Sequence, residues 1–194
     1  MKIAKPFHVE VSGLEWALRS AGYPMQVSVN QNEYDVEIST KDFNRCEKLG
    51  HTPIGSGHDK FLRFINVQFD VTAPRYWWQE FTTYHFTEMQ SQSTMHRLTR
   101  MNIATSCNEY VDSRIIAILK SYVEIYNKEP SFDMFMRIKS NLPEGFLLTA
   151  RINTNYSQLK TIYQQRNNHR LKEWHTFCDW IGQLPHADLL GLLQ

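Results

Sequence analysis

Cysteine is scarce in this sequence: three in 194 residues, Cys46, Cys107 and Cys178, far apart and without a CxxC spacing. Neither a disulfide framework nor a zinc knuckle organises such a chain, and a reducing compartment fits best. Long apolar runs are missing too. The start, MKIAKPFHVEVSGLEW, has no apolar leader-like region, and no window approaches the ~18 apolar residues of a membrane span, so a cytoplasmic protein without a membrane partner is expected. Charge of one sign is not in excess. With 21 Lys+Arg against 20 Asp+Glu the net charge is +1, which leaves no global basic field for nucleic acid or an acidic membrane. The GxSxG, P-loop, GxGxxG and HExxH motifs are all absent. His175 and Cys178, three apart on an expected helix, are too few to make a metal site.

What is present describes an ordinary globular chain, 42% apolar and 21% charged, of a length that suits one domain over 1–194. KIAKPFHVEV reads as a strand leading to a short helix capped by Ser12 and stopped by Gly22. The alternation in MQVSVNQNEYDVEIS suggests one or two strands, KDFNRCEKLG a helix ending at Gly50, and FLRFINVQFDVTA a strand. Pro74 fits the first turn of a helix through RYWWQEFTTYHF, and Ser131 is placed to cap SFDMFMRIKS after the helix over EYVDSRIIAILKSYVEIYNK. GFLLTARINT reads as a strand, and one long helix is expected from about Asn155 to Ile181. The sum is an α+β domain with a central mixed or antiparallel sheet and long helices, helix-rich toward the C-terminus.

Two stretches carry more chemistry than solubility needs. On the last expected helix, Leu159, Tyr163, Trp174, Phe177 and Ile181 fall on one stripe, with Arg166, Arg170 and Glu173 between its apolar ends. Charges there must be paired or liganded. Either Arg170 and Glu173 pair along the helix while Arg166 snorkels, or Arg166 points at a phosphate in a cleft with Asn155 and His169 near its rim. The second stretch, SQSTMHRLTRM, follows APRYWWQEFTTYHFTEMQ with almost no glycine or proline between. Ser91, Ser93 and Thr94 could form an anion-binding turn or simply populate a loop. Tyr84, His85 and His96 offer stacking faces and titratable nitrogens, or belong to a helix surface. Trp77 and Trp78 are adjacent, so at least one is expected in a core or interface.

From Gly57 to Arg97, GHDKFLRFINVQFDVTAPRYWWQEFTTYHFTEMQSQSTMHR resembles the central segment of the flavin-dependent thymidylate synthases, a strand and helix leading to an arginine-rich signature that ends in serine. Ser93 falls on that serine. LPEGFLLTARINTNYSQLKTIYQQRNNHRLKEW is similar to the family's later segment, and the wording of both looks most like a divergent branch among phage-encoded members. The two segments together make up 74 of the 194 residues. It implies a thymidylate-synthase-complementing-protein-like fold and a homotetramer with active sites between subunits. It further implies FAD as cofactor, a pyrimidine nucleotide (dUMP) as substrate, and methylenetetrahydrofolate and NADPH as cosubstrates. Carried onto this sequence, it assigns Ser91, Ser93, Thr94, Arg97 and Arg151 to the nucleotide, and His58, Tyr84, His85, Asn155, Arg166 and His169 to the cofactor; no side chain is marked as a catalytic nucleophile.

The sequence departs from the family where charge matters. The Arg-His-Arg triplet is Thr83–Tyr84–His85, the signature glutamate is Ser91, the arginine after the serine is Met95, and the strand histidine is Phe64. Each lost charge-assisted contact is worth about 1.5–3 kcal/mol. Three expectations stand beside one another: a flavoenzyme methylating a pyrimidine nucleotide, a nucleotide- or protein-binding module that keeps the fold without the reaction, and a helix-rich interaction protein.

Overall fold

A computed structural model describes residues 3–29, 31 and 38–192. Its first strand, β1 (Phe7–Ser12), is turned into helix α1 (Leu14–Ser20) by Gly13, whose φ is +82°. A Cβ at Gly13 would also meet the Phe64 carbonyl oxygen at 2.4 Å, so glycine is required for both reasons. The residue at the cap is thus Gly13 rather than the expected Ser12. Helix α2 (Thr40–Gly50) starts in a capping box: Ser39 Oγ accepts from the Asp42 amide, and the Asp42 carboxylate accepts from the Ser39 amide. Of the strands expected within 25–39, residues 30 and 32–37 lie outside the described residues, and the described part is no strand: Met25 ends a 3-10 turn and 26–29 are irregular.

Alternation builds the central strands. In β2 (Asn66–Pro74), Val67, Phe69 and Val71 are fully buried while Gln68 and Asp70 face the other way. In β4 (Leu147–Asn155), Ala150, Ile152 and Thr154 point inward and Thr149, Arg151 and Asn153 outward. These two strands pair antiparallel over their whole lengths, β1 joins on the β2 side, and a short strand β3 (Glu88–Ser91) joins on the β4 side, giving the order β1-β2-β4-β3 with all pairs antiparallel. The sheet is therefore antiparallel, not mixed. Between β2 and β3 lies α3 (Arg75–Phe81), which stops before the expected end at Phe86.

Helices α4 (Ser113–Lys128) and α5 (Phe132–Ser140) follow, the first capped by Asp112 and starting later than the expected Glu109, the second capped by Ser131 as expected, and close a small core of Leu98, Ile103, Leu119, Ile138, Leu142 and Phe146. The main core packs α3 and the last helix against the sheet. Trp77 lies over Phe81 at 4.8 Å between ring centres and 4.7 Å from Trp174, with Phe69, Phe177 and Trp180 completing the aromatic layer. Both adjacent tryptophans are buried, because the Trp78 indole N–H finds the Ala73 and Leu148 carbonyls at the sheet while Trp77 faces the helix.

The expected long helix from Asn155 to Ile181 is two helices, α6 (Tyr156–Arg166) and α7 (Lys172–Ile181). Asn167 and Asn168, poor helix formers, open the break, and the His169 ring nitrogen then accepts from the Leu171 amide to turn the chain. The apolar stripe is real but discontinuous. Arg170 is exposed at the break, and Glu173 accepts the Tyr76 hydroxyl instead of pairing with Arg170. No described helix is long and apolar enough to cross a membrane.

Candidate functional site

A cleft of about 800 Å³ opens between α1 and the chain from Gly57 to Phe64, beside the end of the sheet where Ser12, Asn66 and Asn155 stand side by side. Its walls are mostly rings: Trp16, Tyr23, Phe61 and Phe64, with Trp16 and Phe64 46% and 64% exposed. His58 and Lys60 are its basic side chains. Size and lining suit a flat organic ligand with a few polar anchors.

The loop carrying His58 is held by a buried cation. The Lys160 ammonium, 1% exposed, donates to the Gly50 and Thr52 carbonyls at 2.7 and 2.8 Å and to the Asp59 carboxylate, itself 9% exposed, at 3.1 Å. All three donor protons of the ammonium are used. Nothing in the sequence flags Lys160, since a lysine on a helix ordinarily reads as solvated.

A second constellation centres on Glu80 at the end of α3. Its carboxylate accepts from the Arg166 guanidinium at 2.8 Å and the Trp174 indole at 2.7 Å, with His169 Nε2 at 3.5 Å. Arg166 also donates through Nε to the Tyr84 hydroxyl at 2.9 Å and lies over the Trp174 ring at 4.9 Å. Burial pushes the Tyr84 phenol up, with the neighbouring Arg166 pulling the other way. Tyr84, Arg166 and His169 are thus brought together as a closed internal network, and Glu80 is the member that sequence reasoning missed. Asn155 is a full helix away, about 16 Å along α6, where its Oδ1 accepts from the Gln158 amide as a cap. His85 and His58 are exposed.

The residues assigned to the nucleotide gather toward the other end of β4. Ser91 ends β3 opposite Ala150, next to the Gln90–Arg151 pair, and Gln92 bonds Thr149 in both directions. Ser93 Oγ accepts from the Met95 and His96 amides at 3.2 Å, which shapes the turn that follows. Thr94 Oγ accepts from Lys139, and Arg97 is exposed. Arg151 lies on the outer face of the sheet, bonded to the His8 carbonyl at 2.8 Å and Glu10 at 3.0 Å, with Asp70 at 3.5 Å. From Thr149 to Asn155 is about 20 Å of strand, so the segment from Ser91 to Arg97 and the cap Asn155 stand toward opposite ends of β4, with Arg151 between them, while Tyr84, Arg166 and His169 lie off the sheet.

At the two buried thiols, burial outweighs the neighbouring arginines, Arg45 at Cys46 and Arg166 at Cys178. Burial raises Cys46 to about 11 and Cys178 to about 12, so neither is a nucleophile near neutral pH.

No protein-family model and no curated protein sequence matches the chain. Solved structures do. A flavin-dependent thymidylate synthase, ThyX, from Helicobacter pylori complexed with FAD and dUMP superimposes with a TM-score of 0.75 at 15% identity, covering 97% of this chain and 100% of that one. A second structure of the Helicobacter pylori protein with FAD and dUMP gives 0.73 at 15% identity over 96% of this chain and 97% of that one. A UMP/dUMP methylase, PolB, from Streptomyces cacaoi bound with 5-Br dUMP gives 0.67 at 12% over 96% and 92%. The four-stranded antiparallel sheet with its helices is therefore the fold of the flavin-dependent thymidylate synthases, carried by a sequence far diverged from theirs.

Proposed function

We propose that the chain binds FAD and a pyrimidine nucleotide, dUMP in the first instance, and methylates the base with methylenetetrahydrofolate as one-carbon donor and NADPH as reductant. The observation that carries this reading is the aromatic cleft beside His58, on a fold that in the Helicobacter pylori protein is complexed with FAD and dUMP. The residues fit a flavin ring: Trp16 and Phe64 offer exposed faces, and Lys60 and His58 are placed to meet its polar edge. Bound there, the flavin supplies the electron transfer that no side chain of this chain can provide.

The protein groups bind and orient. Ser91, Ser93, Thr94 and Arg97 take the nucleotide phosphate, Arg151 approaches the nucleotide from the sheet, and His58 and His85 face the cofactor. Asn155 stands beside the cleft and Tyr84, Arg166 and His169 meet the extended cofactor about 16 Å away along α6, with Glu80 fixing the direction of the guanidinium. Because the segment from Ser91 to Arg97 and the cleft beside Asn155 stand toward opposite ends of β4, about 20 Å of strand, a site that uses both draws them from neighbouring copies, and a homotetramer is the assembly proposed. The whole of 1–194 acts as one domain in this reading.

A second reading, nucleotide binding without flavin chemistry, is favoured by one feature. Positions 83–85 offer no guanidinium, and Arg166 is tied to Glu80, so the cofactor's phosphates meet few cations. Incubation of the protein with FAD, NADPH, methylenetetrahydrofolate and 5-tritiated dUMP separates the two. Tritium release with formation of dTMP is expected from the first; bound dUMP with neither product nor retained flavin establishes the second.

A further inference from the structure

Resting on the nucleotide-binding reading, we infer that Lys139, near the end of α5, is a phosphate-binding residue that brings a cation to the turn after Ser93 from another part of the chain. Lys139 is half-buried, and its ammonium donates to the Thr94 hydroxyl, the residue that follows Ser93. An ammonium has three donor protons, and the bond to Thr94 uses one of them. No described carboxylate forms an ion pair with Lys139, nor with Arg97 or Arg100 in the segment beside it.

The turn is built to hold that charge against an anion. Ser93 Oγ accepts two consecutive amides, and the Arg97 amide closes on the Ser93 carbonyl, so residues 93–97 form one ordered loop. At its start, the chain is pinned to β4 by the reciprocal Gln92–Thr149 bonds. Thr94 therefore presents its hydroxyl and the Lys139 ammonium from a fixed position one residue beyond the serine. An ammonium acts as a point charge and needs no planar fork, so it can take over a phosphate from another element where a guanidinium is missing. The competing explanation is purely structural: a lysine in the last turn of a helix is favoured by the helix dipole and clamps a loop.

Calorimetric titration with dUMP and with deoxyuridine, which lacks the phosphate, distinguishes the two. Lys139→Met is expected to weaken dUMP about 10-fold or more, the loss of one charge-assisted contact, and to leave deoxyuridine unchanged. Lys139→Arg is expected to restore most of the dUMP affinity, and Thr94→Val, which frees the ammonium but keeps its charge, to cost less than Lys139→Met. Equal dUMP affinity in Lys139→Met and wild type overturns the assignment and leaves the nucleotide reading intact. A wild-type protein that binds neither ligand overturns both. A fall in melting temperature with dUMP and deoxyuridine weakened alike shows a structural clamp and also overturns it.

Discussion

Lys160→Met removes one ammonium from the interior and keeps the aliphatic stem, so its cost isolates what the charge does. In the folded protein that charge satisfies the Gly50 and Thr52 carbonyls and the Asp59 carboxylate, and both charged partners are almost wholly out of water, 1% and 9% exposed. Breaking a buried pair from one side strands the other charge, which costs about 3–5 kcal/mol, against under about 1 kcal/mol for an exposed pair. For a chain of this size that is a fall in melting temperature of roughly 6–20 °C. Urea denaturation followed by tryptophan fluorescence reads the loss, since Trp77 and Trp174 lie in the main core. The double variant Lys160→Met/Asp59→Leu should recover part of it, because no charge is then stranded. Amide exchange should speed up over residues 51–59 before the sheet, and FAD affinity should fall with it, because this loop forms a wall of the cleft. A loss below about 1 kcal/mol would refute the reasoning.

Glu80→Gln leaves Arg166 without its ion pair beside Trp174, and a loss of roughly 1.5–3 kcal/mol is expected, seen as a lower urea midpoint; an unchanged midpoint would show that the network contributes nothing. Cys46 and Cys178 hold their protons more tightly folded, to about 11 and about 12, than at the ordinary thiol value of 9.0. Their contribution to stability is therefore complete below about pH 9 and is lost as pH rises through those values. Iodoacetamide at pH 8 should leave both unmodified in the native protein and label both in urea, read by mass spectrometry; rapid native labelling would contradict their burial.

The sheet's two central strands were legible because Val67, Phe69 and Val71, and again Ala150, Ile152 and Thr154, alternate with polar residues, although Phe61–Phe64, expected in the same strand as Val67, belongs to a 3-10 turn. Ser131 was legible as a cap because its side chain is followed by a clean helical run. Strand β3 was not, since Glu88, Met89, Gln90 and Ser91 are all exposed and give no pattern. The break in the last helix was masked because its apolar stripe continues on the far side of Asn167 and Asn168. At the site, the expectation that Arg166 needs a counter-charge or a ligand was a matter of helical periodicity, but its partner Glu80 is 86 residues away and no local signal connects them. Lys160 is hidden for the same reason: Asp59 lies 101 residues before it. Long-range polar contacts of this kind depend on how elements stack, which periodicity along one element does not contain.

The central claim, that one site on this fold takes both a flavin and a pyrimidine nucleotide, is tested most directly by visible absorption of the purified protein after incubation with FAD and desalting, then titration with dUMP. A retained flavin band that shifts as dUMP binds is the expected result. A well-folded protein that retains no flavin would contradict the claim and leave a nucleotide-binding protein built on an enzyme's fold.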